Sequence, residues 1–378
     1  MRKEAANLLF RLYMVVVVLL LLSVPGSFVY WYMQPDKPID TVLIDKTVPT
    51  KEYREHRSLM WTLDNLKYVN KKTGMPFRYD KDYFGFFLLS GIRYNIRELP
   101  ERIGHPDLIY IADTLGVYKN DLNLQTVSGE RSDLLYGGTE KHEVETIKRA
   151  MTQTNILIAE FDSIATPTRP RTSKDLESLL GVEWTGWTGR YFAELRSSNT
   201  EVPRWLITGY EQQSGKKWSY TGQGIAFVHE DGTVFIMTYG RDIGNGLNSV
   251  YFRGDTVRRF GVQDRVRYYY WFDIVKPQGD VEILADYKLD VTAQGKALLK
   301  KHGLKSTFPA VIAKDSPYNS YYFAGDYADN KPVPSIYNST IVKDIYSTLS
   351  RDADGNTGYF YWRVYYPLMK GILSELPN

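Results

Sequence analysis

The longest apolar stretch of the chain lies near its N-terminus. Residues 12–33 contain no charged side chain, and about 20 apolar residues suffice to cross the hydrocarbon core of a bilayer. Arg2, Lys3 and Arg11 precede this stretch, so the positive-inside rule predicts a cytoplasmic N-terminus and an external body. Tyr30–Tyr32 would then lie at the far interface. We expect a single-pass helix that holds the protein in a bacterial cytoplasmic membrane.

A cleaved signal peptide is the alternative for the same stretch. Pro25–Ser27 could end its helix, and small residues occur there. No A-x-A cleavage pattern follows, and aromatic residues fill the region where cleavage would occur. The pattern therefore favours an uncleaved anchor.

Beyond a short Pro-containing linker at 34–40, apolar runs alternate with helical spacing. Thr41–Asp45, Asp107–Asp113 and Asn155–Phe161 are typical of buried parallel strands. Leucines spaced by three and four predict a helix within Glu52–Asn70, and Gly137–Thr139 opens another, with Thr139 as its expected N-cap. This alternation predicts an α/β fold with a parallel sheet covered by helices on both faces.

The residue composition and the hydrophobic pattern change near Trp184. Aromatic, Gly and Thr residues dominate, and Asp231–Gly232 separates two alternating runs, which predicts a β-hairpin. The α/β pattern then returns, with Pro309–Ala313 expected to pair with Ser320–Asp326. We predict an anchor at 1–33, a linker at 34–40, an α/β core at 41–183 and 280–378, and an inserted β-rich module at 184–279.

Composition removes several classes of protein. The chain of 378 residues has no Cys, which excludes disulfides, thiolate metal sites and a Cys nucleophile. The net charge of +3 lies largely in the N-terminal flank, so the body is nearly neutral. A nucleic-acid partner would need a basic face, and we expect none.

Common catalytic motifs do not occur. His142-Glu143 begins a zinc-binding H-E-x-x-H pattern, but Thr146 stands where the second His is required. The sequence contains no G-x-S-x-G elbow and no phosphate-binding glycine loop. We therefore predict neither a metal site nor a cofactor.

Acidic residues at strand ends are the remaining candidates. Ligands of open α/β sheets gather at the carboxyl ends of the strands, where such acids could do acid–base work or bind hydroxyl groups. N-capping and loop hydrogen bonds are the alternative role for them. Tryptophans and tyrosines could stack on sugar faces, although most of the 30 Tyr must fill the core. The catalytic candidates are Asp45, Asp113, Glu160 and Asp162; the ligand-binding candidates are Asp113, Tyr118, Glu160, Asp162, Trp184, Trp187 and Asp326.

Three segments resemble the core of the class I glutamine-amidotransferase-like fold: Asp107–Asp113, the helix opened by Gly137-Gly138, and Ile156–Asp162. The resemblance is strongest to its ThuA-like branch and to the trimerisation domain of some β-galactosidases, in which segments like 281–287, 308–312 and 321–326 close the domain. It covers residues 41–170 and 280–376.

The resemblance implies a flavodoxin-like sheet. True amidotransferases carry a Cys at the elbow after the strand that here ends near Phe161, and this chain has no Cys. Glutaminase chemistry is therefore excluded, and the ancestral catalytic position is lost.

Two functions remain open from the sequence. The first is a membrane-anchored binding or scaffold component of the bacterial envelope, with polysaccharide or envelope proteins as partners, serving polysaccharide synthesis or export. The second is an extracytoplasmic carbohydrate-active hydrolase that uses the strand-end carboxylates.

Overall fold

The protein is a mixed α/β molecule with an apolar N-terminal helix. The computed structural model describes residues 2–124, 132–244, 248–353 and 356–377, with side chains from residue 7 onward. The helices are α1 (Arg2–Met33), α2 (Arg54–Asn65), α3 (Lys141–Ala150), α4 (Pro170–Leu180), α5 (Arg204–Ser214), α6 (Gly254–Phe260), α7 (Ala293–Lys301), α8 (Thr340–Leu349), α9 (Thr357–Phe360) and α10 (Tyr366–Leu373). Shorter helical turns are Lys119–Leu122, Ser335–Asn338 and the π-helical Tyr361–Tyr365.

Eighteen strands are numbered along the described chain. They are β1 (Lys37–Ile39), β2 (Thr41–Asp45), β3 (Tyr68–Asn70), β4 (Phe84–Ser90), β5 (Arg93–Arg97), β6 (Leu108–Asp113), β7 (Val117–Tyr118), β8 (Leu134–Tyr136), β9 (Ile156–Ala159), β10 (Val182–Phe192), β11 (Gly224–His229), β12 (Val234–Thr238), β13 (Ser249–Phe252), β14 (Arg265–Arg267), β15 (Trp271–Pro277), β16 (Glu282–Lys288), β17 (Thr307–Lys314) and β18 (Asn319–Phe323).

Ten of these strands form the central sheet, in the order β14-β13-β16-β17-β18-β9-β6-β2-β4-β5. The middle strands β18, β9, β6, β2 and β4 are parallel, and the flanking strands are antiparallel. The β6 and β9 strands are buried along their whole length, because helices cover them. The predicted parallel strands at Thr41–Asp45, Asp107–Asp113 and Asn155–Phe161 are therefore confirmed.

A separate four-stranded antiparallel sheet has the order β12-β11-β10-β15. The hairpin expected at Asp231-Gly232 is confirmed, since Val228 pairs with Val234 across that turn. The interval 184–279 is not a single module, however. Strands β13 and β14 lie within it but extend the edge of the central sheet, where β13 pairs with β16. Local alternation reveals a strand without revealing its partner, because pairing is set by contacts distant in sequence.

Helix starts show how neighbouring side chains decide local boundaries. The N-cap of α3 is Glu140 rather than Thr139, and the Glu143 carboxylate accepts a hydrogen bond from the Glu140 amide at 2.7 Å. Thr139 instead donates its hydroxyl proton to the Ser163 carbonyl, 2.9 Å away, and so joins two loops. The expected pairing of Pro309–Ala313 with Ser320–Asp326 is confirmed by the β17–β18 register.

Helix α1 is exposed along most of its length, and Asn7–Met33 is long and apolar enough to cross a membrane. A secretory signal sequence has the same character. The end of the helix contacts the body of the protein: the Trp31 indole N–H donates to the Asn65 carbonyl at 2.9 Å, and Ser27 shares a hydrogen bond with Ser339.

Candidate functional site

A cavity of about 550 Å³ opens at the carboxyl ends of the parallel strands and is closed on its other side by the four-stranded sheet. We call it the strand-end cavity. Its acidic lining residues include Glu55, Asp113, Asp162 and Asp326, and its aromatic lining residues are Tyr118, Phe161, Trp184, Trp205, Tyr270 and Trp271.

The strand-end cavity lies where the order of the parallel strands reverses. Strand β2 is the first parallel strand in the chain, and its neighbours β4 and β6 lie on opposite sides of it. Asp45 and Asp113, at the ends of β2 and β6, are paired in register. The loops that follow two such neighbouring strands lead to opposite sides of the sheet, and a crevice opens between them. Ligands of open α/β sheets bind in this crevice.

Asp113 contributes a carboxyl group with an unusual proton affinity. One of its oxygens accepts hydrogen bonds from the Thr47 hydroxyl at 2.7 Å and from the Leu115 amide at 2.6 Å. The pKa of Asp113 is raised to about 7, chiefly by burial. Nearby Asp45 adds to this shift, and the two hydrogen bonds oppose it. A group with this pKa can give or take a proton near neutral pH.

Asp45 lies beside this site but is already engaged. Its carboxylate contacts His56 Nδ1, and the other ring nitrogen of His56 contacts the Tyr79 carbonyl at 2.7 Å. A carbonyl can only accept, so the His56 nitrogen beside Tyr79 is a donor. The contact between the His56 and Asp45 side chains is fully buried and fixes α2 beneath the end of β2.

Asp162 occupies a tight turn just after β9. Its φ of 61° is in the left-handed region, which costs energy for most residues other than glycine. The Asp162 amide donates to the Asp273 carboxylate at 3.3 Å, and that carboxylate also accepts from the Tyr322 hydroxyl at 2.6 Å. Asp273 thereby joins β15 of the smaller sheet to the turn that presents Asp162.

Three further carboxylates cluster at the edge of the cavity: Glu55, Asp326 and Asp329 have oxygens within 4.8 Å of one another. Arg54 neutralises Asp329 through two N–H bonds of 2.9 and 2.7 Å. Burial, followed by the neighbouring carboxylates, raises the pKa values of Glu55 and Asp326 well above their usual range. The raised pKa values favour the protonated form of these two carboxyl groups.

Oxygen atoms of this kind suit a hard cation such as Ca²⁺ or Mg²⁺. Arg54 already occupies both oxygens of Asp329, so a cation bound by all three acids would have to compete with a bidentate ion pair. The bidentate Arg54–Asp329 contact therefore disfavours a cation bound by all three acids.

Most of the aromatic residues that line the cavity belong to the smaller sheet and its connections, and we call the aromatic lining the aromatic wall. Phe161, in the loop after β9, and Trp271 are nearly parallel, at 17° and 6.3 Å between ring centroids. The Arg190 guanidinium lies 5.3 Å from the ring centroids of both Tyr270 and Trp271. The Trp184 indole N–H donates to the Trp187 carbonyl at 3.1 Å, which fixes the orientation of the Trp184 ring. Flat apolar surfaces and carboxyl groups therefore line the same cavity.

The structure brings together five of the sequence-predicted residues, and the following line the strand-end cavity: Asp113, Tyr118, Asp162, Trp184 and Asp326. Three others do not line it: Asp45, Glu160 and Trp187. Asp45 pairs with His56 as described above. Glu160 is 1% exposed and accepts hydrogen bonds from Tyr110 and from the backbone amides of residues 327 and 328, so it holds the loop after β18.

Trp187 points away from the cavity because of strand geometry. The regular pairing of β10 with β15 is interrupted between Trp184 and Thr188, where Gly186 has a φ of 81°. Trp187 packs against Phe235 and His302 in the core.

Sequence reasoning missed Glu55, Arg190, Trp205, Tyr270 and Trp271, all of which line the cavity. Glu55 had a usable signal: it lies in the first turn of the helix that follows the first buried strand. The other four belong to the smaller sheet and its connections, whose position over the central sheet is a tertiary property.

Comparisons with known proteins give distant structural neighbours. No protein-family profile matches the chain, and no curated protein matches it. A ThuA-like protein from Parabacteroides merdae shares 11% identity over 76% of this chain and 79% of its own, with a TM-score of 0.37. A ThuA-like protein from Bacteroides uniformis shares 11% identity over 86% of this chain and 97% of its own, with a TM-score of 0.32.

A β-galactosidase from Bacillus circulans is also similar, with 8% identity, a TM-score of 0.32 and coverage of 82% of this chain. This chain spans only 31% of that enzyme's length. The structural neighbours thus include ThuA-like proteins, and likenesses of this size do not establish membership of a family.

Proposed function

We propose that this protein is a membrane-anchored, extracytoplasmic component of the bacterial envelope that binds a saccharide in the strand-end cavity. In this proposal it is a binding or scaffold protein of polysaccharide synthesis or export. Its core is a flavodoxin-like, catalytically degenerate amidotransferase-like domain. The order 2-1-3-4-5 of the five parallel strands supports that fold assignment.

One observation carries the proposal: carboxyl groups and aromatic rings line one cavity of about 550 Å³. Sugars present C–H faces that pack on aromatic rings, and hydroxyl groups that donate to carboxylates. The volume of the cavity is in the range of pockets that bind small ligands. The nearly neutral body leaves polyhydroxylated ligands as better candidates than polyanions.

The test is saccharide binding by the full-length chain in detergent, first on a glycan array and then by calorimetry. We expect Trp271→Ala and Trp184→Ala each to weaken binding of the responsive glycan about tenfold, because each removes one stacking surface. Tyr239→Ala is the matched control, since Tyr239 is 43% exposed and lies outside the lining of the cavity. Unchanged affinity in both Trp variants, or no binding to any glycan, would contradict the proposal.

A second candidate function is glycoside hydrolysis, and the Asp113 pKa of about 7 within the cavity favours it. An acid that is half-protonated near neutral pH can act as a general acid or base, and Glu55 and Asp326, whose pKa values are also raised, line the same cavity. Release of reducing ends from the bound glycan is the assay. We expect Asp113→Asn to lower turnover by at least about 100-fold while binding persists, and the exposed Asp175→Asn to leave turnover unchanged. A wild-type chain without turnover would refute this candidate and leave saccharide binding standing.

A further inference from the structure

A second cavity, of about 540 Å³, lies apart from the strand-end cavity, beside the end of α1. We call it the basal pocket. Its basic and aromatic lining residues include Lys37, Arg259, Lys343, Lys370, Trp362 and Tyr366. A single acid, Asp344, accompanies these four cations in the lining. The basal pocket is thus a concave surface of positive charge.

Most of this positive charge has no protein counterion. Arg259 pairs with Glu375 at 2.7 Å, but among the described residues Lys37, Lys343 and Lys370 form no salt bridge. The half-buried Lys343 ammonium donates to the Tyr366 hydroxyl at 2.9 Å and lies 4.7 Å from the centre of that ring. A partly buried ammonium group that forms no salt bridge is stabilised when an anion binds beside it.

The proton affinity of Lys343 agrees with this geometry. Burial lowers the pKa of Lys343, Asp344 opposes that shift, and Lys370 adds to it. An anion in the basal pocket would relieve the repulsion between the two ammonium groups.

Hydrogen bonds connect the basal pocket to the apolar helix. The Tyr366 hydroxyl that accepts from Lys343 donates in turn to the Asn65 side chain at 2.6 Å. The Asn65 carbonyl accepts from the Trp31 indole, near the end of α1. Lys37 follows Met33, the last residue of that helix, by four positions. The pocket therefore lies at the point where α1 would leave a bilayer.

Helix α8 strengthens this placement. Ser339, its N-cap, contacts Ser27, which lies six residues before the end of α1 and therefore about 9 Å lower along the helix axis. No residue of α8 is buried, and its Ile345 and Leu349 are 53% and 71% exposed. Amphipathic helices that lie in a membrane interface bury their apolar face by about 5–10 Å. In a bilayer crossed by α1, this contact would place the start of α8 near the depth of the lipid headgroups.

We propose that the basal pocket binds the phosphate of an anionic membrane phospholipid while α8 lies in the outer interface of the bilayer. The lysine ammonium groups supply the charge for a phosphate oxyanion, and the exposed apolar residues of α8 meet the acyl chains. This inference rests on the membrane-anchor part of the proposed function and is independent of the saccharide.

Native mass spectrometry of the full-length chain in non-ionic detergent tests the inference, with dioleoyl phosphatidylglycerol and dioleoyl phosphatidylcholine as probes. We expect preferential retention of the anionic lipid by the wild-type chain. The double substitution Lys343→Gln and Lys370→Gln should weaken that retention about 30-fold, because two ammonium–phosphate contacts are lost. Lys296→Gln with Lys300→Gln, two exposed lysines on α7, is the matched control and should retain the lipid.

Three further measurements distinguish the possible outcomes. Lys343→Arg with Lys370→Arg preserves the charge and should restore retention, which separates lost binding from misfolding. Equal retention of the two lipids by the wild-type chain would overturn the inference. Binding of inorganic phosphate to the pocket as tightly as the phospholipid would also overturn the inference, because the site would then be one for a free anion. Glycan binding by the same variants should be unchanged. Lipid retention and glycan binding therefore test the two proposals independently.

Discussion

At the scale of single residues, buried acids dominate the electrostatics of this protein. Glu160 accepts hydrogen bonds from Tyr110 and from two backbone amides, yet burial still raises its pKa from 4.5 to about 8. The pKa of Asp113 is likewise raised to about 7, and that of Asp273 to about 6, chiefly by burial. In each case the loss of hydration outweighs the hydrogen bonds that favour the charged form.

These shifts predict how stability depends on pH. A folded Glu160 that keeps its proton up to about pH 8, against 4.5 for a free glutamate, stabilises the fold fully below pH 4.5. That contribution declines as the pH rises through about 8. We expect the free energy of unfolding to fall between pH 5 and pH 8 in the wild-type chain, and less steeply in Glu160→Gln, which mimics the protonated acid. Urea denaturation at both pH values measures this.

The control for that experiment is Glu183→Gln, at an exposed position of β10. It should keep the wild-type dependence on pH. A Glu160→Gln variant with an unchanged slope would show that Glu160 is ionised in the folded protein.

At the scale of elements, one close approach fixes the end of β2 against β4. Gly85 has a φ of 134°, and a Cβ there would lie 1.7 Å from the Asp45 carbonyl oxygen. Only glycine permits the two strands to pair at this point. The position of Asp45, and with it the hydrogen bond to His56, depends on this contact.

Substitution of Gly85 should therefore separate the two strands. We expect Gly85→Ala to lower the free energy of unfolding by about 3 kcal/mol or more, since the added methyl group meets backbone atoms that cannot rotate away. Gly91, in the turn after β4, has a φ of 58° and open space around it. Gly91→Ala should cost only about 1–2 kcal/mol. Similar losses in the two variants, measured by urea denaturation, would contradict the role given to Gly85.

At the scale of the whole molecule, the apolar helix and the body form contacts that a freely tethered anchor would lack. Trp31 bonds to the end of α2, and the Lys67 ammonium lies 4.7 Å from the centre of the Trp31 ring. Ser27 meets the start of α8. These contacts fix the angle between α1 and the body, so the membrane would orient the strand-end cavity as well as retain it.

Expression of the full-length chain in a bacterium tests the anchor. We expect the protein to remain in the membrane fraction after a carbonate wash, with an intact mass that includes residues 1–33. Absence of the body, residues 34–378, from the membrane fraction would instead identify a signal peptide. So would an intact mass that shows cleavage near Pro25–Ser27. Deletion of residues 1–33 is the control and should release the body into the soluble fraction.

The sequence by itself determined the apolar N-terminal helix, the parallel strands and the acids at their ends, because hydrophobic periodicity and strand-end chemistry are local properties. It also predicted Asp113, Asp162 and Asp326 as site candidates, and the structure places all three around one cavity.

Only the tertiary structure decided which candidates share that cavity. Trp184 reaches it and Trp187 does not, because β10 is irregular between them and Trp187 packs against Phe235 and His302. Glu160 is a buried acid that holds a loop and does not line the cavity. Strands β13 and β14 belong to the central sheet and not to the smaller one. The aromatic wall, the Glu55–Asp326 pair and the basal pocket all assemble segments far apart in the chain. Their geometry follows from packing between elements, which no local pattern encodes.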